Sequence, residues 1–201
     1  MSRIFLVSLA VAFSLALLPF CSIAAAGEAE GNSMALPEPD KTGGMPLMQA
    51  LALRKSERSF QGTELPLQEV SNLLWATWGI NRPDGKHTAP TALNKQEILV
   101  FAAMKSGIWQ YDPTEHRLLQ TSETDLGSQL GGAPLTLVYA AKDNSFAGLH
   151  IGSLYQNAGL YCASAGLANV VKQTGVDKAA KALNLPKDYK VYIVQPVGYP
   201  K

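Results

Sequence analysis

An apolar run followed by an alternating segment, near the middle of the chain, most constrains the fold. Residues 98–104 are continuously apolar, and residues 107–113 largely alternate apolar and polar side chains. The first pattern is typical of a buried strand, and the second of a strand with one solvent-facing side. Lys105, Ser106 and Gly107 lie at the connection and are compatible with a tight turn. The sequence therefore predicts a β-hairpin whose first strand is buried.

Helical and strand patterns alternate around this hairpin. Two helices are predicted before it, over residues 47–53 and 65–78, and Gly79 ends the second. After it, the patterns predict a short helix within 119–132, a strand over 134–141, a long helix over 148–166, a strand over 168–172, a helix over 176–183 and a strand over 190–196. This order predicts an α+β fold with one mixed sheet flanked by helices.

The first 26 residues have the layout of a secretory signal peptide. A basic start containing Arg3 precedes an apolar run from Ile4 to Phe20, and small residues follow up to Ala26. We predict cleavage after Ala26 and export to the periplasm, with no stable membrane insertion afterwards. Two alternatives stay open, an uncleaved N-terminal membrane anchor and a lipoprotein processed at Cys21.

The next segment, residues 27–45, is rich in Gly, Pro, Glu and Asp and has no apolar period. It is predicted to be a flexible linker that wraps the surface. Residues 46–201 then form the folded domain, and Pro46 suits the first turn of its first helix. The chain length agrees with one domain and a short appendage.

Composition excludes several classes of function. The formal net charge is +1, and loss of Arg3 with the signal peptide leaves 16 basic and 16 acidic residues, so no overall field attracts nucleic acid. Cys162 is then the one remaining cysteine and is predicted to be a core thiol, which excludes an intrachain disulfide and a thiolate metal site. His87, His116 and His150 lack partners at metal spacing and are expected to be solvated.

No sequence pattern for a side-chain nucleophile is present. The chain has no G-x-S-x-G motif and no Gly-rich dinucleotide or nucleotide fingerprint. If the protein is an enzyme, its reactive group is therefore predicted to be a bound cofactor.

A basic cluster follows the first predicted helix. Arg54, Lys55 and Arg58 alternate with Ser56 and Ser59. An Arg side chain binds phosphate through two parallel charge-assisted hydrogen bonds, and small neighbours let a ligand approach the backbone. The alternative is a solvated basic turn between two helices.

Five motifs, in order along the chain, resemble those of the FMN-dependent nitroreductase family. They are R-x-S-x-R-x-F at residues 54–60, Pro-Thr-x-x-Asn-x-Gln at 90–96, Gln156-Asn157 in the long helix, Gly166-Leu167 after it, and Val-Gly-Tyr-Pro at 197–200. The short thiazole-oxidase-like dehydrogenases resemble this chain most in length and in residues 73–76. The resemblance implies a nitroreductase-like mixed sheet, a long central helix, bound FMN and a homodimer.

The resemblance also implies roles for the basic cluster. Arg54 would bind the FMN phosphate, while Lys55 and Ser56 would line the ribityl chain and the ring edge. Arg58 would lie beside the N1–C2=O edge, where a cation stabilises developing negative charge.

Further contacts are implied on the ring. Asn94 and Gln96 would hydrogen-bond the pyrimidine edge, and Pro90 and Thr91 would come from the second subunit. The family places an acidic-Gly pair beside flavin N5, and the nearest match here is Thr174 and Gly175, without the acidic residue.

The sequence thus predicts an exported, homodimeric FMN oxidoreductase. It would transfer hydride through flavin N5 in a ping-pong cycle, with no side chain acting as acid or base. The acceptor would be a nitro compound, a quinone or a similar small molecule, and the donor a nicotinamide or another reductant. The alternative, motivated by the missing acidic residue and the short C-terminus, is an exported nitroreductase-fold flavin- or ligand-binding protein without turnover. A third hypothesis is a structural module whose basic cluster is only a solvated turn.

Overall fold

The hairpin predicted from the central apolar run is the middle of the sheet. The protein is described by a computed structural model that covers residues 32–201, so the signal peptide predicted over 1–26 lies outside the described residues. Strands β2 (Ile98–Met104) and β3 (Gly107–Asp112) pair antiparallel through Ala103 and Ile108. Gly107 has φ +122, and a Cβ there would lie 2.4 Å from the Ser122 carbonyl oxygen, so the turn requires glycine.

The other elements follow the predicted order. The strands are β1 (Ser33–Ala35), β4 (Arg117–Ser122), β5 (Leu135–Lys142), β6 (Ala168–Asn169) and β7 (Tyr189–Gly198). The helices are α1 (Leu47–Leu53), α2 (Leu67–Trp78), α3 (Gly127–Gly131), α4 (Ala147–Ser164) and α5 (Val176–Ala182). The predicted α+β class is confirmed.

The seven strands form one sheet in the order β1-β4-β3-β2-β5-β7-β6. Each pairing among the described strands is antiparallel, whereas the sequence pattern suggested a mixed sheet. The difference arises at β7. Helix α4 carries the chain from β5 to β6, which run in the same direction, but β7 lies between them and pairs antiparallel with both.

Two apolar layers cover the two faces of this sheet. On β5, Leu137 and Tyr139 point into the layer that contains α2 and α4, while Val138 and Ala140 point into the layer that contains α3 and α5. Alternate strand residues face opposite sides, so β5 contributes to both layers. Cys162 lies in the first layer with no exposed surface, which confirms the predicted core thiol.

From residue 32 onward, where the structure describes it, the segment before α1 packs on the domain and is not a free linker. Met34 pairs with Leu118, which places β1 on the outer edge of β4. The Asp40 N–H donates to Asn72 Oδ1 at 2.8 Å, and the Met45 N–H donates to Ser164 Oγ at 2.8 Å. A three-residue strand is too short to show an alternating pattern, which is why the sequence predicted only a linker for 27–45.

Between residues 32 and 201, none of the helices combines the length and the apolarity that crossing a membrane requires.

Candidate functional site

Arg54 lies immediately after α1, where its aliphatic stem packs over α4. Its N–H donates to the Ala50 carbonyl at 2.9 Å and so closes the last turn of α1. A Cβ built on Gly159 would lie 3.9 Å from both Cγ and Cδ of Arg54, so the stem rests on bare helix backbone. The residue is exposed, and its guanidinium has no carboxylate partner within residues 32–201. This unpaired cation is available to an anionic ligand.

In the rest of the basic cluster, one cation forms an ion pair and the other, within residues 32–201, does not. Lys55 forms an ion pair of 3.2 Å with Glu57. Exposed pairs of this kind contribute about 0–1 kcal/mol, so a phosphate competes easily for the ammonium. Ser56 and Arg58 are exposed, and Arg58 forms no ion pair in the described part of the chain.

A groove of about 230 Å³ runs beside this cluster. The Glu57 N–H donates to the Asn169 carbonyl at 2.8 Å, which joins the basic segment to β6. The groove is lined by the cluster, by the end of α4 and by the C-terminus, through Lys55, Glu57, Ala163, Gly166, Asn169 and Pro200. The motifs that begin at Arg54 and at Gly166 therefore meet at one place.

A buried amide network supports the wall of this groove. The Tyr139 hydroxyl donates to Gln195 Oε1 at 2.6 Å, and Gln195 Nε2 donates to Asn169 Oδ1 at 2.9 Å. Tyr139 and Gln195 have no exposed surface, so these bonds cannot be exchanged with water. Sequence reasoning did not find this network, because its members belong to β5, β7 and β6 and have no common motif.

The Pro90–Gln96 segment forms a tight loop with an unusual backbone. Leu93, Asn94 and Gln96 have φ values of 54, 52 and 51, in the left-handed region that residues other than glycine adopt at a cost. The Gln96 N–H donates to Thr91 Oγ1 at 3.3 Å, and Gln96 Nε2 donates to Asn94 Oδ1 at 3.0 Å. Strain of this kind persists where surrounding contacts fix it, and it concentrates at ligand sites.

His150 fixes this loop from the first turns of α4. The Ala92 N–H donates to His150 Nε2 at 2.8 Å, which requires the neutral ring with its proton on Nδ1. Burial lowers the pKa of His150, and the positive charge of Lys95 lowers it further against the opposing effect of Glu97. The expectation of a solvated His150 is wrong, since only 3% of its surface is exposed.

The expectations for the other two histidines are also wrong. His87 is buried, stacks on Trp78 with ring centroids 3.7 Å apart, and its Nδ1 lies 2.8 Å from the Trp78 carbonyl. His116 is half-buried and lies 2.7 Å from Ser71 Oγ and 2.9 Å from the Tyr111 hydroxyl. Burial lowers the pKa of both rings. The polar sequence neighbours of these histidines were misleading, because each ring is held by side chains or carbonyls of a neighbouring helix or strand.

Thr174 and Gly175 occupy the start of α5. Gly175 has φ +101, and a Cβ at this position would lie 3.1 Å from Leu130 Cδ2, so the turn into the helix favours glycine. Thr174 is exposed. The segment reaches this turn from Asn169 along β7, through the bridge between Lys172 and Val194. Thr174 and Gly175, the residues predicted to contact N5, thus belong to the same chain segment as Asn169, which lines the groove.

One chain brings together only part of the predicted site. Arg54 contacts α4 at Gly159, whereas the 90–96 loop contacts α4 at His150. These positions are nine residues apart, which corresponds to about 13 Å along a helix. The basic cluster and the loop therefore lie at different turns of α4.

Comparison with known proteins agrees with this architecture. A nitroreductase-family protein from Ralstonia eutropha JMP134 is 37% identical, with a TM-score of 0.80 over 87% of this chain and 92% of its own. A nitroreductase-family protein of Methanocaldococcus jannaschii is 25% identical over 195 residues, covering 84% of this chain and 98% of its own. An FMN-dependent nitroreductase of Clostridium difficile R20291 shares the fold, with 17% identity and a TM-score of 0.53 over 77% of this chain and 90% of its own.

The sequence model of the nitroreductase family matches residues 51–199. That range contains the basic cluster, the 90–96 loop, α4 and the stretch from Asn169 to Gly175. With the shared fold and the position of these segments, this match shows that the chain belongs to the nitroreductase family and supports an oxidoreductase function.

Proposed function

We propose that the protein is an FMN-dependent oxidoreductase that reduces a small-molecule acceptor. The observation that carries the proposal is Arg54, an exposed guanidinium without a carboxylate partner in residues 32–201, held over bare helix at Gly159. An Arg fork suits the two oxygens of a phosphate monoester. Arg54 therefore fits the phosphate of FMN. The related protein of Clostridium difficile is described as an FMN-dependent nitroreductase.

FMN supplies, when bound, hydride transfer at N5 in a ping-pong cycle between a donor and an acceptor. The residues of this chain provide binding and electrostatics. Arg54 binds the phosphate, and Lys55, once released from Glu57, lines the ribityl chain with Ser56. Arg58 would hold the pyrimidine edge, where its charge would favour the reduced state. No side chain is required as a general acid or base.

The 90–96 loop completes the site from a second subunit in this proposal. Asn94 and Gln96 would hydrogen-bond the pyrimidine edge, and Pro90 and Thr91 would pack against the ring. The loop and Arg54 contact different turns of α4, and in this proposal they bind different ends of the ligand, the ring and the phosphate. Thr174 and Gly175 would supply backbone N–H groups to N5.

Exposed apolar side chains support a homodimer. Leu47, Met48, Leu51 and Leu53 on α1 are 63%, 74%, 43% and 58% exposed, and Leu149 on the neighbouring α4 is 69% exposed. Four exposed apolar side chains on one short helix mark an association surface. A two-fold interface uses the same patch on both copies, which α1 and α4 provide.

The finer features of the proposal concern substrate, subgroup and location. The acceptor is a nitro compound, a quinone or a similar molecule, and the donor a nicotinamide or another reductant. Residues 73–76, Leu-Leu-Trp-Ala, favour the thiazole-oxidase-like dehydrogenase subgroup. Export to the periplasm, after cleavage of residues 1–26, is part of the proposal.

The test is the visible absorption spectrum of the purified protein after FMN has been added and free FMN removed by desalting. We expect a flavin band corresponding to about one FMN per subunit. The reduced band should then reoxidise with a nitro compound or a quinone, and steady-state kinetics should give parallel double-reciprocal lines. A folded but colourless protein contradicts the proposal. Retention of FMN without turnover, with any donor tried, favours the binding protein without catalysis.

A further inference from the structure

A second cavity lies beside the 90–96 loop, away from the basic cluster. It has a volume of about 210 Å³, and its lining includes Arg82, Lys86, Thr91, Asn94 and Gln96. Two of these side chains are cations, two are carboxamides and one is a hydroxyl, and none is a carboxylate. We call this cavity the 82–96 pocket.

Three oxygen atoms at the pocket already accept hydrogen bonds. Thr91 Oγ1 accepts from the Gln96 N–H, and Asn94 Oδ1 accepts from Gln96 Nε2 at 3.0 Å. The His87 carbonyl accepts from Arg82 Nη2 at 3.2 Å. A ligand that approaches these groups therefore meets few free acceptors.

Several donors of the same pocket remain unused. The Asn94 Nδ2 amide and Nη1 of Arg82 donate to no group within residues 32–201, and the Thr91 hydroxyl hydrogen is likewise free in that range. Arg82 is held in place by bonds from Nε to Asn81 Oδ1 at 2.9 Å and from Nη2 to His87. The guanidinium is thus oriented while part of its donor fork stays open.

The charge of the surroundings agrees with this donor excess. Asp84 lies 2.8 Å from Lys86 Nζ and 4.0 Å from Arg82 Nε. One carboxylate faces two cations, so the local charge is positive by one unit. A group that accepts hydrogen bonds and carries negative charge is the complement of such a pocket.

The volume limits how much of a ligand can enter. A water molecule occupies about 30 Å³ in the liquid, so the pocket has space for about seven waters. Small-molecule sites usually measure about 300–1,000 Å³. The pocket therefore accommodates one functional group and its immediate neighbours, not an entire flavin.

We propose that the 82–96 pocket binds the carboxylate or phosphate group of a small organic substrate, and that Arg82 and Lys86 select anionic substrates. The inference rests on the proposed function in one respect. The bound anion is a substrate only if the 90–96 loop also holds the flavin ring, as proposed above. The binding step itself requires no flavin, so it can be measured separately.

The experiment uses two nitro compounds that differ in charge, 4-nitrobenzoate and 4-nitrobenzamide. Calorimetric titration of the purified protein, without added FMN, should show binding of 4-nitrobenzoate and at least tenfold weaker binding of the amide. Arg82→Gln should weaken 4-nitrobenzoate at least tenfold, and Arg82→Lys less, because it keeps the charge but loses the fork. The matched control is Lys178→Gln, an exposed cation on α5 without an ion pair in the described chain.

The outcomes separate this inference from the proposed function. With FMN present, Arg82→Gln should raise KM for 4-nitrobenzoate about tenfold and leave kcat and KM for 4-nitrobenzamide unchanged. Equal affinity of wild type and Arg82→Gln for 4-nitrobenzoate overturns the inference. So does selective loss of FMN but not riboflavin in Arg82→Gln, which would assign the pocket to the cofactor phosphate. A protein that binds 4-nitrobenzoate through Arg82 but retains no FMN would contradict the proposed function alone.

Discussion

The backbone N–H of Ala92 donates a 2.8 Å hydrogen bond to Nε2 of His150, and this one contact ties the 90–96 loop to α4. The imidazole can accept this bond only while Nε2 is unprotonated. The contact therefore makes the geometry of the loop dependent on the protonation state of a buried ring.

The first prediction concerns pH. Burial lowers the pKa of His150 below its ordinary value of 6.5, so the neutral ring is favoured by folding. The unfolded chain then takes up a proton first as pH falls, and the contribution of His150 to stability is complete above pH 6.5 and decreases below it. We expect FMN affinity and the free energy of unfolding to fall as pH drops from 7.5 toward 5.

A glutamine provides the control for this effect. In His150→Gln the side-chain oxygen can accept from Ala92 but does not titrate. FMN affinity in this variant should vary less with pH than in wild type, while His87 and His116 still titrate in both proteins. Identical pH profiles of FMN affinity would contradict the assigned contact.

The second prediction concerns Arg54. Hydrogen bonds to charged groups contribute about 1.5–3 kcal/mol, so Arg54→Ala should weaken FMN binding by about ten- to a hundredfold. Riboflavin lacks the phosphate and should bind wild type and Arg54→Ala equally, as measured by quenching of flavin fluorescence. Equal weakening of both flavins would mean that Arg54 supports the fold of the site and not the phosphate.

The third prediction concerns Gly159, on which the Arg54 stem rests. A Cβ at this position would lie 3.7 Å from Asn169 Oδ1 and 3.9 Å from Arg54, which are ordinary contact distances. Gly159→Ala should therefore retain FMN and gain up to about 1 kcal/mol of helix stability. Gly159→Leu should displace Arg54 and lose FMN while thermal unfolding still shows a folded protein. Normal FMN affinity in Gly159→Leu would contradict the packing described for Arg54.

The fourth prediction concerns the buried network behind the groove. Gln195→Leu leaves the Tyr139 hydroxyl and Asn169 Oδ1 without their partner in a region closed to water. Each unsatisfied buried group costs about 1–3 kcal/mol, so with two such groups urea unfolding should show a loss of about 2–6 kcal/mol. Gln173→Leu, at an exposed position, serves as the control and should change stability little.

The fifth prediction concerns the apolar surface of α1. Met48 is 74% exposed, and a carboxylate at this position is neutral to the monomer but costly in an apolar interface. Met48→Asp should shift the protein from dimer to monomer in analytical ultracentrifugation and reduce FMN retention in parallel. Lys187→Asp, an exposed position outside α1 and α4, should leave the dimer intact. A wild-type monomer that retains FMN would contradict the two-chain site.

Most of the fold could be predicted from local pattern. Residues 98–104 and 107–113 became the central hairpin, and the small-residue run after Phe146 became α4, because each pattern acts within one element. The position of β7 between β5 and β6 could not be predicted in the same way, since no local feature records which strands pair.

The site was predictable only where its residues follow one another in the chain. Arg54 to Arg58 and the 90–96 loop have motifs of their own. His150 acts on Ala92 across 58 residues, and Gln195 acts on Asn169 across 26, so neither shows a spacing that sequence could reveal. The polar neighbours of His87 suggested a solvated ring, but its stacking on Trp78 decided its burial.

Strand β1 has a consequence for the solution behaviour of the protein. Its three residues occupy backbone donors and acceptors of β4 that would otherwise form an open sheet edge. An uncovered edge is a template on which another chain can add a strand, and it leads to aggregation. Proteolysis that removed the chain up to Ala35 would therefore expose the edge of β4 and promote aggregation. The proposed cleavage after Ala26 leaves β1 paired with β4.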